Sequence, residues 1–103
     1  MYKLVFFVPA SHVDVVKQAV FAAGGGRLGN YEHCCWQVLG QGQFRPMVGS
    51  TPFLGEQGSL ESLEEYRVEL LCPAVCASAV KSALIAAHPF EEPAFEFLPV
   101  VQI

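Results

Sequence analysis

The spacing of hydrophobic residues changes along the first third of the chain. An apolar run at residues 2–8, rich in Val, Phe and Tyr, predicts a β-strand. From residue 13 to residue 23 apolar positions recur every three or four residues, which predicts a helix with one buried face. Ser11, with Asp14 three residues later, predicts a variant of the capping box at the start of that helix. The glycines at 24–26 predict its end, because Gly readily takes the left-handed conformation of a C-cap.

The same pattern returns later in the chain. Residues 73–87 match residues 9–23 at an offset of 64, with seven identities in fifteen positions. A strand-like run again precedes the helical stretch, and Pro89 predicts its end because the residue before a proline disfavours helical geometry. Phe21 and Ile85 occupy equivalent positions in the two copies. The repeat therefore predicts that these two side chains pack alike.

Two strand–helix–strand units give the order βαββαβ. A right-handed crossover places both helices on one face of a four-stranded antiparallel sheet, which is the ferredoxin-like arrangement of the α+β class. The second strand is predicted at residues 34–39. The third, which precedes the second helix, is predicted at 65–70, where polar and apolar residues alternate, and the fourth around Phe95 and Glu96. The 103 residues suit a single domain spanning 1–103.

Residues 40–62 do not fit a regular element. They contain five glycines and two prolines and are longer than a usual hairpin loop. A short strand at 41–48 is predicted to extend the second strand, with an interruption at Pro46. Gly40 and Gly42 suggest a phosphate-binding loop, but no helix and no Lys-Ser/Thr pair follows, and Arg45 is the only cation nearby. An ordered loop that wraps a neighbouring subunit is the favoured interpretation.

Composition narrows the range of partners. The net charge is −4, which argues against a nucleic-acid-binding surface, and no apolar run is long enough to span a membrane. Residues 1–3 lead into a strand without a signal-peptide pattern, so a cytoplasmic location and reduced cysteines are expected. Hydrophobic residues make up 52% of the chain and charged residues 16%, so we expect another subunit to cover part of the apolar surface. Four acidic residues in the second half are predicted to form a solvated face, namely Glu56, Glu61, Glu64 and Glu65.

The densest polar group is the stretch from His88 to Pro93. An imidazole and two carboxylates there could bind a divalent ion such as Zn²⁺, or act as acid and base. Glu91 and Glu92 are adjacent, so an extended backbone would direct them to opposite faces, and only one is expected to join His88. The favoured interpretation is structural: a partly positive His88 ring caps the helix C-terminus.

A second polar group comprises Glu32, His33 and the cysteines that follow. If the strands bring His33 close to His88, the two imidazoles with Glu91 or Glu92 would form a metal site. A catalytic Cys–His pair is a weaker alternative, because it needs a nearby positive group and only Arg27 is close in sequence. The four cysteines contain no Cys-x-x-Cys pair and predict no zinc site; Cys72 and Cys76 are expected to be core residues.

Several groups of residues form a pattern that covers nearly the whole chain. They are Gly29-Asn30-Tyr31 with Cys34; Gly40, Gly42, Phe44, Pro46, Gly49, Pro52, Gly55 and Gly58; Glu65, Arg67 and Glu69; and His88-Pro89-Phe90-Glu91-Glu92-Pro93. This pattern resembles the YqfO-type branch of the NGG1p-interacting-factor (DUF34) family. The similarity is to the PII-like or CutA-like domain inserted in its longer members, which also occurs in standalone versions. The resemblance implies a ferredoxin-like fold and trimeric association.

The resemblance also limits what is inherited. The two-metal site of the longer family members resides in lobes outside this domain, so its ligands correspond to no residue here. The favoured interpretation is therefore a non-enzymatic regulatory or interaction module that forms a homo-oligomer, which the resemblance implies is a trimer. It would bind a protein partner or a small effector in clefts between subunits. The candidate contact residues are Tyr31, Gly42, Phe44, Arg45, Pro46 and Phe90.

Two alternatives remain at this point. One is a divalent-metal-binding protein that uses His33, His88, Glu91 and Glu92, with the metal ion as its only cofactor. The other is nucleotide sensing by analogy with PII proteins, whose charged ligand contacts have no clear match in this sequence.

Overall fold

The computed structural model describes residues 1–103 and contains four strands and two α-helices. The elements are β1 (Tyr2–Pro9), α1 (Val13–Ala22), β2 (Trp36–Phe44), β3 (Glu61–Cys72), α2 (Ala77–Ala87) and β4 (Phe95–Pro99). A single 3-10 turn precedes each helix, at Ala10–His12 and at Ala74–Cys76. Neither helix is long and apolar enough to cross a membrane.

The four strands form one sheet in the order β2-β3-β1-β4, with every neighbouring pair antiparallel. β1 is one of the two inner strands, and its Leu4 lies opposite Leu70 of β3 and Phe97 of β4. This order and direction are those of the ferredoxin-like fold, so the fold predicted from the internal repeat is confirmed.

The hydrophobic core lies between one face of the sheet and the two helices. Alternate residues of β1 point toward the helices, and three of them, Leu4, Phe6 and Val8, are fully buried. β3 and the helices supply the remaining core residues: Val13, Val16, Val20, Phe21, Val68, Leu70, Cys72, Val80 and Leu84. Each such aliphatic or aromatic side chain contributes about 1.5–3 kcal/mol on burial, so this layer holds the helices on the sheet.

The two halves do not pack alike at the edge of the helices, so the prediction for Phe21 and Ile85 is wrong. Phe21 is buried and its ring stacks on His33 with centroids 4.8 Å apart, whereas Ile85 is 45% exposed. The reason lies in the connections. After α1 the backbone turns through Gly26, whose N–H donates to Leu71 O at 2.8 Å and whose carbonyl accepts from Cys34 N–H. The chain thus folds back over Phe21, and no equivalent segment follows α2.

The helix ends agree only in part with the prediction. Gly24 has φ +113°, a value that favours glycine, and α1 ends two residues before it, as expected. The predicted capping box is wrong, because no side chain caps α1. The Ser11 hydroxyl instead lies 2.7 Å from His12 Nδ1, and the preceding 3-10 turn begins the helical segment.

The β2–β3 hairpin is longer than the pattern predicted. It extends past the end of β1, because Pro9 pairs with Glu65 while residues 61–64 pair only with β2. β2 ends at Phe44 rather than continuing to residue 48, since Pro46 has no amide hydrogen for the ladder. The 16 residues between the strands, 45–60, form no helix or strand and are called the excursion below.

Neighbouring residues of α2 provide a test of the core. We expect Leu84→Ala to lower the free energy of unfolding by about 2–5 kcal/mol, because it opens a cavity at a fully buried position. Ile85→Ala is the matched control, and we expect a loss below about 1 kcal/mol at this exposed helical site. Urea unfolding of both variants measures the difference. Equal losses would contradict the packing described for α2.

Candidate functional site

A cavity of about 630 Å³ opens where three parts of the chain meet. The open face of the sheet contributes Phe7, Phe44 and Glu65, and the excursion contributes a second wall. The third wall is the segment 88–94 between α2 and β4, called the His88 turn below. The volume of the cavity, and the combination of apolar and charged residues in its walls, are typical of small-molecule sites.

Hydrogen bonds fix the excursion against the His88 turn. The Thr51 N–H donates to Glu91 Oε2 at 3.0 Å, which joins the two segments directly. Within the excursion, Gly58 N–H donates to Pro46 O at 2.7 Å, and Ser50 N–H to Met47 O at 3.1 Å. Pro46 is buried as a result. The excursion therefore forms an ordered wall against its own chain.

Aromatic rings line much of this cavity. The ring centroids of Phe44 and Phe90 are 5.8 Å apart and those of Phe53 and Phe90 are 6.3 Å apart. The planes in these pairs are inclined at 59° and 50°, so no ring covers another by flat stacking. His12 packs edge-on against Phe53 at 5.3 Å, which links the excursion to the start of α1.

The His88 ring joins the His88 turn to β1. Its Nε2 lies 2.7 Å from the Phe7 carbonyl oxygen, and the Phe90 N–H donates to its Nδ1 at 3.1 Å. Because Nδ1 accepts, the proton resides on Nε2 and the imidazole is neutral. Burial lowers the pKa of His88 below its ordinary value of 6.5; the Phe7 bond opposes this shift and His12 adds to it.

This geometry corrects the predicted role of His88. The residue does follow the last turn of α2, but its backbone N–H forms the cap by donating to Leu84 O at 2.9 Å. The ring is directed to β1 and is neutral, so the predicted charge–dipole interaction at the helix C-terminus is wrong. The ring instead positions Phe90 in the cavity wall.

Glu65 is the charged residue on the sheet side of the cavity. Its carboxylate crosses over Gly42, where a Cβ atom would overlap Glu65 Oε1. Burial raises the pKa of Glu65. Glu65 is therefore partly buried, rather than fully solvated as predicted. The alternation of β3 could have indicated its position, because Glu65 shares the face of Arg67 and Glu69 and lies opposite Gly40.

Most of the predicted contact residues lie at the cavity. Phe44, Arg45, Pro46 and Phe90 line it, as do both Glu91 and Glu92. Gly42 acts indirectly, by leaving room for the Glu65 carboxylate. Tyr31 does not belong to the lining; it is 75% exposed and forms an isolated bridge with Leu28.

The predicted metal ligands are not assembled into one site. His33 stacks on Phe21 beside α1, while both ring nitrogens of His88 are occupied by backbone groups. No three His, Cys, Asp or Glu side chains are grouped so that they could hold a metal ion. All four cysteines are free, and Cys72 is buried in the core as predicted.

Known proteins resemble this chain over nearly its whole length, although no family model matches it. A Mycobacterium leprae protein named GTP cyclohydrolase 1 type 2 homolog is 50% identical over 99 residues, which are 96% of this chain and 26% of that protein. A protein of the same name from Halalkalibacterium halodurans is 43% identical, over 97% of this chain and 27% of its own length. The chain thus spans about a quarter of these curated relatives.

Solved structures agree with this relationship. A Bacillus cereus protein related to NIF3 matches with a TM-score of 0.83 and 39% identity, over 98% of this chain and 26% of that one. The periplasmic divalent cation tolerance protein CutA from Archaeoglobus fulgidus matches with a TM-score of 0.67 and 12% identity, over 98% of this chain and 84% of that one. At such low identity the CutA match establishes the fold alone. The resemblance stated from the motifs is confirmed.

The neutral, buried His88 predicts a pH-dependent stability. Its folded pKa is lower than its unfolded pKa, so the unfolded chain binds more protons in the window between them. We therefore expect the contribution of His88 to the free energy of unfolding to be complete above about pH 6.5. Below that pH the free energy of unfolding should decrease as the pH falls. Urea unfolding across this range measures the slope.

His88→Gln is the control for this prediction. A glutamine amide can still donate to the Phe7 carbonyl but does not titrate, so its unfolding free energy should fall less at acid pH. Glu65, whose raised pKa acts in the opposite sense, is present in both proteins and cancels in their difference. Identical pH slopes in the two proteins would contradict the assignment to His88.

Proposed function

Since this chain is a relative of the NIF3-related proteins, matched to about a quarter of their length, we propose that it is a homo-oligomeric binding module. In this proposal copies of the chain assemble as a trimer, and each cavity binds a small effector or a segment of a partner. The module acts by binding, and no catalytic role is assigned to any residue.

The cavity is the observation that carries the proposal. It combines aromatic walls with a few charged groups, and the hydrogen bonds of Thr51 and His88 preform it. Preformed concave sites of this composition bind ligands at a lower ordering cost than mobile loops. Ordering the excursion and the His88 turn costs conformational entropy, and a ligand bound between them would offset that cost.

The exposed edge of the sheet supports self-association. β2 is a nine-residue edge strand, and its Trp36 and Val38 are 58% and 45% exposed. Trp36 lies opposite Glu69 of β3, and Val38 lies opposite Arg67. The side chains of Trp36 and Val38 therefore lie on the open face of the sheet, which the helices do not cover. Long edges with apolar side chains are normally covered or paired in stable proteins. A second copy of the chain is the simplest cover for this edge.

The GTP in the names of the relatives is not a ligand that suits this cavity. GTP carries several negative charges, and phosphate sites need basic side chains or clustered backbone N–H groups. The cavity offers Arg45 as its only basic side chain, against three carboxylates. We therefore propose no GTP chemistry for this chain, which spans only about a quarter of the proteins that carry the name.

The proposal predicts the mass of the protein in solution. At micromolar concentration, sedimentation equilibrium should give three times the 11.2 kDa protomer mass. Val38→Asp places a charge on the exposed edge strand and should yield a monomer. Val75→Asp is the matched control, because Val75 is also exposed but lies in the turn before α2, and it should leave the assembly intact. A wild-type monomer would contradict the proposal.

A further inference from the structure

We propose that the cavity selects an organic cation, in which an ammonium group is carried by an apolar body. The inference deepens the proposed function and rests on it, since it names the chemical class of the ligand for the same cavity. It depends on three features of the lining: excess negative charge, a partly buried carboxylate without a partner, and a group of aromatic rings.

The charge of the lining favours a cation. Glu65, Glu91 and Glu92 line the cavity together with a single basic residue, Arg45, which is exposed. The structure contains only two ion-pair contacts, from Lys3 and from Arg67, and both go to Glu69 outside this cavity. The carboxylates of the cavity are therefore not neutralised by any basic side chain of the protomer.

Glu65 is the partly buried carboxylate of the cavity, whereas Glu91 and Glu92 are exposed. Glu91 already accepts the Thr51 N–H, but no hydrogen bond or ion pair of the protomer reaches the Glu65 carboxylate. Its position across Gly42 on the sheet removes it in part from water. Partial burial of a charge without a partner is unfavourable, and a bound cation would offset that cost.

The aromatic residues suit the remainder of such a ligand. Phe44, Phe53 and Phe90 provide rings that are inclined to one another rather than stacked flat. The faces of aromatic rings attract cations, and their hydrocarbon surface binds apolar groups. A ligand with both parts therefore uses the rings and Glu65 together.

Three probes of matched size test this inference. Phenylbutylamine, phenylbutanol and phenylbutanoate share one apolar body and differ in charge, and isothermal titration calorimetry measures their binding to the full chain. We expect the amine to bind at least about tenfold more tightly than the alcohol, and the carboxylate more weakly than either.

The outcomes separate this inference from the proposed function. Equal binding of amine and alcohol, or tighter binding of the carboxylate, would overturn the cation assignment but leave the cavity as a binding site. Absence of binding by all three probes would overturn the cation assignment and the cavity as an effector site together. The oligomeric part of the proposal is decided separately by the solution mass.

Variants locate the selectivity at Glu65. Glu65→Gln keeps the shape but removes the charge, so we expect the amine to lose about tenfold in affinity while the alcohol binds as before. Gly42→Ala keeps the charge but displaces the carboxylate, and should also weaken the amine selectively.

Gly40→Ala is the matched control on the same strand. Gly40 has no atom within 4 Å of a built Cβ, so this variant should bind all three probes like the wild type. Thermal unfolding of each variant confirms that it is folded. An unchanged preference for the amine in folded Glu65→Gln would overturn the role of Glu65, and a loss of equal size in Gly40→Ala and Gly42→Ala would overturn the positioning by Gly42.

Discussion

The hydrogen bond between the His88 ring and the Phe7 carbonyl links the core of this protein to its cavity. Phe7 belongs to β1, an inner strand of the sheet, whose alternate residues Leu4, Phe6 and Val8 are buried beneath the helices. On the other side of the ring, Nδ1 accepts the Phe90 N–H. A buried, neutral imidazole thus bridges the sheet and the wall of the cavity. The same burial that stabilises the contact makes it sensitive to protonation.

The fold could be predicted because its information is local and repeated. Alternation along β3 and the helical spacing around Val16 and Val80 specify which face of each element is buried. The offset of 64 residues then fixes two like units, and handedness leaves one common arrangement for them. The glycines and prolines of the excursion predict that it is irregular, but its contact with the His88 turn joins residues forty positions apart. Thr51 and Glu91 carry no local pattern that would reveal their bond.

The site could be predicted only where side chains act through their own chemistry. The stretch from Phe44 to Pro46 belongs to the glycine- and proline-rich segment of the family pattern, and the residues from His88 onward form the densest polar group of the sequence. Glu65 was missed because its environment comes from a neighbouring strand: the absence of a side chain at Gly42 is what lets the carboxylate settle there. The metal hypothesis erred for a related reason, since it assumed that His33 and His88 have free nitrogens and face each other.

The distribution of charge on the open face of the sheet explains why the cavity lining carries excess negative charge. Positive residues of this face are already engaged, because Lys3 and Arg67 both contact Glu69, and Arg67 also lies 5.8 Å from the Phe7 ring centroid. Glu65 follows the same alternation two residues before Arg67, but it lies beside glycines instead of a cation. The alternation along β3 thus places Arg67 and Glu69 in contact with each other and leaves Glu65 without a basic partner.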